Sequence, residues 1–301
     1  MIRFLRCLPV LMVVLIPAVV SAQDKFFDSN GVRIRYVEQG SGEPIVLLHG
    51  YTSNIERGWM NNGVFANLAK DHRAIAVDVR GHGKSGKPHD PKAYGAELAQ
   101  DVVRLLDHLK IGKAHIVSYS MGGNITAQLL TTNPDRFLTA TIGGIAGRQG
   151  TGPEGSWSAQ DEKAAQAEAE ELEHGMPFRS LALRIAPTDQ PKPGEEDIRK
   201  FSQERAAIND VAALAALVRS RRNTLATRAQ LATVQIPTQA VVGSADPNLA
   251  GVKALKAVWP ALKVVVLDGA THGGERGAAA RPEFVNAIRD FIAAHGKRTS
   301  D

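Results

Sequence analysis

Short apolar runs alternate with helical patterns along most of this 301-residue chain, and this alternation constrains the fold more than any other feature. Uninterrupted apolar runs of this length are typical of parallel strands that are buried on both faces. Between two of them, apolar residues from Leu98 to Leu109 recur at helical spacing, and Gly112 marks the end of that helix. The sequence therefore predicts an α/β protein with a doubly wound, mostly parallel sheet. The predicted strands are 45–48, 75–77, 114–118, 139–142, 239–242 and 263–267, and a last helix covers 282–294.

The first strands depart from this alternation. Residues 25–28 and 32–38 have strand character and flank the turn Ser29-Asn30-Gly31. The dipeptide Asn-Gly favours the positive backbone angles of a tight hairpin. We therefore expect an antiparallel edge at the start of the sheet.

A long segment between the predicted strands at 139–142 and 239–242 also departs from the pattern. It has no strand signal and is far longer than a connecting loop needs to be. We interpret it as an inserted helical cap at 149–227, which divides the core into 23–148 and 228–301. Its first helix is expected to begin at the capping-box pair Ser158 and Asp161.

The N-terminus has the pattern of a secretory signal peptide. Arg3 and Arg6 precede an apolar run over residues 8–20, and Val20-Ser21-Ala22 is a small-residue cleavage pattern. The run is shorter than the roughly 20 residues that span a bilayer. We expect cleavage after Ala22 and export to the periplasm or the medium, with a retained membrane tether as the alternative.

Charge and cysteine content exclude several function classes. Residues 1–22 contain two of the 36 basic side chains and none of the 31 acidic ones, so the formal charge falls from +5 to +3 on cleavage. This small excess favours neither nucleic-acid nor membrane binding, and we interpret Arg219, Arg221 and Arg222 as a solvated helix face. The one cysteine, Cys7, lies in the predicted signal, so no disulfide or thiol ligand is expected in the mature chain.

The sequence gives no support for a metal or a cofactor. None of the nine histidines falls in an H-x-H or H-E-x-x-H pattern. The glycine-rich segment that follows Ile142 does not begin a helix with a ribose-binding acid at the right distance. We therefore expect no cofactor and a small-molecule substrate as the partner.

Ser120 lies at the junction of a predicted strand and a predicted helix. The segment Ser118-Tyr119-Ser120-Met121-Gly122 matches the small-x-Ser-x-Gly pattern of a nucleophile elbow, a tight turn that exposes the serine hydroxyl. Glycine is more usual where this chain has Ser118, and a buried hydroxyl there needs a hydrogen-bond partner. A simple helix N-cap is the alternative interpretation of Ser120.

A nucleophilic serine needs a histidine to accept its proton and a carboxylate to orient that histidine. Asp246 follows the predicted strand at 239–242, and His272 follows the next strand. Both therefore lie at the carboxyl edge of the predicted sheet, where the order serine, aspartate, histidine also fits the elbow pattern. Asp268 is the nearest rival carboxylate, which we expect to cap a loop instead.

Five segments occur in one order: LLHGYTSN, DVRGHGKS, SYSMGG, GSADP and GATHGG. On these motifs the chain resembles the α/β-hydrolase superfamily. The resemblance implies Ser120 as nucleophile, His272 as general base and acid, and Asp246 as the residue that orients His272. The backbone N–H groups of Met121 and Tyr51 are expected to form the oxyanion hole.

Serine at the elbow narrows the expected reaction, since epoxide hydrolases of this superfamily have an aspartate there. The leading hypothesis is hydrolysis of a small or medium carboxylic ester through an acyl-enzyme. Carbon–carbon bond, lactone or amide hydrolysis, acyl transfer, and a catalytically dead binding protein remain alternatives. Three cap residues are expected either to line an acyl pocket or to pack the cap: Trp157, Met176 and Phe178.

Overall fold

The protein contains one eight-stranded sheet. A computed structural model describes residues 23–145, 151–152, 155–224 and 226–295. The strands are β1 (Lys25–Ser29), β2 (Val32–Gln39), β3 (Pro44–Leu48), β4 (Arg73–Val77), β5 (Ala114–Tyr119), β6 (Phe137–Gly143), β7 (Thr238–Gly243) and β8 (Lys263–Leu267). Their order is β1-β2-β4-β3-β5-β6-β7-β8, and every pairing from β4 to β8 is parallel. The predicted α/β fold class is confirmed.

The antiparallel edge is also as predicted. Strand β1 pairs with β2, and β2 pairs antiparallel with β4. The turn between β1 and β2 contains Asn30 with φ of 56° and Gly31 with φ of 80°. Two successive residues with positive φ match the twist of a two-residue hairpin, which explains the Asn-Gly pair.

Helices cover both faces of the sheet. They are α1 (Val64–Leu68), α2 (Glu97–His108), α3 (Met121–Thr132), α4 (Ala159–His174), α5 (Arg179–Arg184), α6 (Glu195–Ala206), α7 (Val211–Arg219), α8 (Arg228–Ala232), α9 (Leu249–Val258) and α10 (Pro282–His295). One apolar core joins α2, α3 and α9 to the sheet, and a second joins α1 and α10 to its other face. In β3, alternate residues belong to the two cores, which explains why the strand is apolar throughout.

The chain between β6 and β7 forms the helices α4 to α8. Helix α4 begins at Ser158, whose hydroxyl accepts from the Asp161 N–H in a capping box. Helices α4 and α7 pack through a third apolar cluster that includes Leu172 and Leu214. Helices α6 and α7 are separate, because α6 ends at Ala206 and Asp210 caps the start of α7.

The predicted signal peptide at 1–22 lies outside the described residues. Within the described ranges, no helix is both long and apolar enough to cross a membrane. Export therefore stays a prediction from the sequence.

Candidate active site

Ser120 occupies a strained corner between β5 and α3. Its φ is 51° and its ψ is −113°, a combination that L-residues rarely adopt. Such a conformation costs about 1–3 kcal/mol and persists only where the surrounding structure enforces it. The Ser120 N–H donates to the Gly143 carbonyl of β6 at 2.8 Å, which fixes the corner against the neighbouring strand.

Small residues on either side of Ser120 permit this corner. A Cβ atom on Gly122 would lie 2.3 Å from the Leu48 carbonyl oxygen, so α3 approaches β3 at a distance that only glycine allows. Ser118 is fully buried, and its hydroxyl finds the Thr141 carbonyl oxygen at a long distance of 3.4 Å. This contact gives the buried hydroxyl of Ser118 the partner that it requires.

The structure brings Ser120, His272 and Asp246 into one hydrogen-bonded chain. His272 Nδ1 lies 2.8 Å from Asp246 Oδ2, and His272 Nε2 lies 2.9 Å from Ser120 Oγ. A carboxylate only accepts, so Nδ1–H donates to Asp246 and Nε2 is left to accept the Ser120 hydroxyl hydrogen. Asp246 is 1% exposed and His272 is 7% exposed, so water competes little for these contacts.

Asn248 is a member of this cluster that the sequence analysis did not identify. Its backbone N–H and its side-chain Nδ2 donate to Asp246 Oδ1 at 2.9 and 3.0 Å. Nδ2 also lies 3.0 Å from His272 Nδ1, but both atoms are donors, so both point their hydrogens at the carboxylate. The sequence did contain a local sign of this contact, because the side chain of an aspartate commonly accepts a hydrogen bond from the backbone N–H two residues later.

Tyr119 holds the loop that contains His272. Its hydroxyl donates to the His272 carbonyl oxygen at 2.8 Å, and its ring centroid lies 5.6 Å from that of the imidazole. Burial raises the pKa of Tyr119 above its ordinary value, which keeps the phenol protonated as a donor. The residue before Ser120 thus helps to position His272.

The loop after β3 passes directly against Ser120. A Cβ atom on Gly50 would lie 3.2 Å from the Ser120 Cβ. The buried His49 accepts from the Val79 N–H through Nε2 at 3.1 Å and donates through Nδ1 to the Gly50 oxygen at 2.8 Å. Burial lowers the pKa of His49, which favours this neutral form. His49 therefore shapes the loop after β3. Tyr51 is the next residue after Gly50 and lines the same cavity as Ser120.

Met121 opens α3 directly after Ser120. The first amides of a helix have no acceptor within the helix, and they lie at its positive end. The Met121 N–H is therefore available to an oxygen atom bound at Ser120. The structure thus places both predicted oxyanion donors, Met121 and Tyr51, in segments adjoining the serine, and both residues line the cavity beside it.

Two cavities meet at Ser120 and His272. The first, which we call the apolar cavity, has a volume of about 330 Å³. The second, the polar cavity, has about 740 Å³ and is lined by Arg57, Asn61, Asn62 and Arg205. Tyr51 and Ile185 border both cavities. The apolar side chains of the first are Leu98, Met121, Ile125, Ile145, Leu181, Ile185, Leu217 and Val252.

The rival residues lie elsewhere. Asp268 accepts from the Ser244 hydroxyl at 3.1 Å, which is a loop contact as expected. Phe178 is buried in the cluster between α4 and α7, and the Trp157 indole donates to Glu162. Of the two expected roles, packing within the helical segment therefore fits Phe178 and Trp157 better than lining an acyl pocket. Among the described residues, no group of three or more His, Cys, Asp or Glu side chains is placed to hold a metal ion.

The interpretation of Arg221 as a solvated residue is wrong. Arg221 is 7% exposed and donates to both oxygens of Glu168 at 2.5 and 2.8 Å. Its guanidinium lies 5.4 Å from the Tyr51 ring centroid, and it lines the apolar cavity. Although burial alone would raise the pKa of Glu168, Arg221 and Arg184 hold it well below its ordinary range. This ion cluster connects α4 and α5 to the loop after β3, through the contact of Arg221 with Tyr51.

A serine, a histidine and an aspartate joined at the carboxyl edge of a doubly wound sheet define a class of α/β enzymes with a nucleophile elbow. A family model for the alpha/beta hydrolase fold matches residues 43–274. The chain belongs to this family.

Several curated relatives match over part of the chain. Esterase YbfF of Escherichia coli strain K12 is 40% identical over 100 residues, which cover 33% of this chain and 37% of that protein. An epoxide hydrolase of Caballeronia sordidicola is 36% identical over 112 residues, covering 36% and 33%. An acetyltransferase component of the acetoin cleaving system of Cupriavidus necator is 35% identical over 126 residues, covering 40% and 32%. The matched segment spans about a third of the length of these relatives.

Solved structures resemble nearly the whole chain. A thermophilic esterase from Thermogutta terrifontis superposes with a TM-score of 0.72 at 21% identity, covering 92% of this chain and 100% of that one. An enol-lactonase from Burkholderia xenovorans LB400 gives a TM-score of 0.69 at 22% identity, covering 89% and 100%. At these identities the likeness establishes the fold alone.

Proposed function

We propose that the protein is a serine hydrolase that cleaves a carboxylic ester through an acyl-enzyme. The observation that carries this proposal is the hydrogen-bonded chain from Ser120 through His272 to Asp246 at a strained corner. A serine hydroxyl is a weak nucleophile unless a base takes its proton. The neutral imidazole has the tautomer required, with Nε2 facing the hydroxyl.

In the first step, Ser120 Oγ attacks the ester carbonyl while His272 Nε2 accepts its proton. Asp246 stabilises the imidazolium that forms, and Asn248 holds the carboxylate in place. The tetrahedral oxyanion accepts from the Met121 and Tyr51 N–H groups, each worth about 3–4 kcal/mol in comparable sites. His272 then protonates the departing alcohol. Water, deprotonated by the same imidazole, releases the acid and restores Ser120.

The similarity to an esterase supports this reaction, whereas epoxide hydrolysis would require a different nucleophile. Epoxide hydrolases of the superfamily have an aspartate at the elbow, and this chain has Ser120. A serine also serves lactone, amide or carbon–carbon bond hydrolysis and acyl transfer. The preference for esters rests on the esterase relative.

Replacing the nucleophile tests the proposal. Ser120→Ala should abolish turnover of p-nitrophenyl butyrate and labelling by a fluorophosphonate probe, since the oxygen that both reagents modify is gone. Ser202→Ala, which removes a buried hydroxyl from α6, is the matched control and should retain both signals. Residual labelling of Ser120→Ala, or no labelling of well-folded wild type, would contradict the assignment. The latter result would favour the binding-protein alternative.

We also propose that the chain divides into a core at 23–148 and 228–301 and a cap at 149–227. A separate proposal is that the protein is exported after cleavage at Ala22. N-terminal sequencing of protein expressed with residues 1–22 tests the export step. A mature chain beginning at Gln23 supports cleavage, whereas an intact N-terminus supports the tether.

A further inference from the structure

Two arginines from different parts of the fold line the polar cavity beside Ser120. Arg57 belongs to a π-helical turn, Glu56–Met60, in the segment after the oxyanion loop. Arg205 is near the end of α6 in the cap. Asn209 anchors this end of the cap, because its Nδ2 donates to the Arg205 carbonyl at 2.9 Å and approaches the Thr52 carbonyl at 3.4 Å.

Neither guanidinium has an acid partner in the part of the chain that the structure describes. Among the described residues, no carboxylate lies within salt-bridge distance of Arg57 or Arg205. The Arg205 Nε is buried without a hydrogen-bond partner. Its guanidinium lies over the Phe201 ring at 3.3 Å from the centroid, which fixes the plane of the group. The buried arginines Arg35 and Arg80 are paired with aspartates, whereas Arg205 is half-buried and Arg57 is exposed.

This arrangement is costly without an anion. Burial, and after it the charge of Arg57, lowers the pKa of Arg205 to about 10, which still leaves it cationic at neutral pH. A like-charged pair in a partly buried site raises the electrostatic free energy of the folded protein, and a bound anion would relieve it. The carboxylate that borders this cavity belongs to Glu275, which is exposed. Glu204, which is exposed on α6, also acts on Arg205, so two exposed carboxylates lie near the two arginines without forming an ion pair with either of them.

We propose that the substrate is an ester with a carboxylate group, which Arg57 and Arg205 bind in the polar cavity. With Glu204 and Glu275 near the two arginines, a monoanionic carboxylate meets less repulsion than a dianionic phosphate, and the planar guanidinium suits carboxylate recognition. The other side of the scissile bond would occupy the apolar cavity, because both cavities reach Ser120 and His272. This inference rests on the proposed esterase function.

Matched ester pairs test the inference. One pair has the charge on the acyl side: mono-p-nitrophenyl glutarate and its neutral methyl ester. The second has it on the alcohol side: 4-(butyryloxy)benzoate and its methyl ester. In at least one pair, wild type should prefer the acid in kcat/KM. Arg57→Gln and Arg205→Gln should each reduce that preference by about tenfold, the loss expected for one charge-assisted hydrogen bond.

Arg199→Gln is the matched control, since it removes the same charge from the exposed face of α6 and should keep the wild-type preference. Arg205→Lys keeps the charge without the planar fork and should give an intermediate value. Preference for the neutral ester in both pairs, or an acid preference that the arginine variants leave intact, would overturn the inference. Failure of the esterase proposal itself is distinct, because then neither member of a pair is hydrolysed and the fluorophosphonate does not label Ser120.

Discussion

The contact between Gly122 and β3 gives a quantitative test of the corner at Ser120. A methyl group at position 122 would lie 2.3 Å from the Leu48 oxygen and 2.9 Å from the Leu48 carbonyl carbon. Carbon and oxygen atoms that are not bonded need about 3.3 Å or more, so α3 would have to move away from β3 by roughly 1 Å. The obstructing atoms are backbone in a close-packed core, so no side-chain rotation relieves the clash.

The cost of Gly122→Ala follows from that displacement. Overpacking of a core typically costs about 1–3 kcal/mol. In a domain of this size, about 2 °C of melting temperature is lost per kcal/mol, so we expect a decrease of roughly 2–6 °C. The same movement displaces Ser120 from His272, and a 1 Å error in an active site can cost about 100-fold in rate. We therefore expect p-nitrophenyl butyrate turnover to fall by about that factor.

Gly251→Ala is the matched control, because Gly251 lies in α9 and a Cβ atom there would meet nothing within 4 Å. Alanine favours a helix over glycine by about 0.5–1 kcal/mol, so this variant should melt slightly above wild type. Thermal unfolding followed by circular dichroism measures both variants. The argument that only glycine allows α3 to approach β3 this closely would be refuted if Gly122→Ala melted at the same temperature as wild type while Gly251→Ala melted at a higher one.

Three further outcomes are expected. Asn248→Ala removes a side-chain donor from Asp246 and should lower kcat about tenfold in steady-state assays, as expected for one hydrogen bond to a charged group; an unchanged kcat would contradict the positioning role. Glu168→Gln removes the buried carboxylate that pairs with Arg221 and should reduce the free energy of unfolding in urea by about 3–5 kcal/mol. Burial, and after it the adjacent His49, lowers the pKa of His82 from 6.5 to about 3. As the pH falls, His82 takes up a proton in the unfolded chain before it does so in the folded protein, so the folded protein loses stability below pH 6.5. Through this residue, the free energy of unfolding should fall by about 2 kcal/mol between pH 7 and pH 5. His82→Gln should remove that part of the pH dependence in urea titrations, and an identical dependence in the variant would show that His82 is not held neutral.

Features that depend on neighbouring residues could be predicted from the sequence. The strands were recognisable because burial on both faces requires apolar residues throughout, and the hairpin because Asn30-Gly31 satisfies one turn geometry. The corner at Ser120 needs small residues at fixed offsets, and Gly122 supplies one. Asp246 and His272 could be placed because both follow predicted strands of a parallel sheet, whose carboxyl ends share one edge.

Features that depend on distant pairing could not be predicted. Arg221 has the sequence context of an exposed helix end, and its partner Glu168 lies 53 residues away. The lack of a carboxylate partner for Arg57 and Arg205 among the described residues depends on how α6 lies relative to the segment after β3, for which no short motif exists. Asn248 is different, since its two-residue spacing from Asp246 was visible but ambiguous.

The backbone angles of Ser120 have a consequence for heat tolerance. In the folded protein, the turn holds Ser120 in backbone angles that a serine rarely adopts. A glycine at position 120 would adopt the same angles without a steric penalty. A protein selected for resistance to heat alone would therefore lose its hydroxyl at this position. Under the serine hydrolase function proposed above, the Ser120 hydroxyl is held in place at the expense of melting temperature.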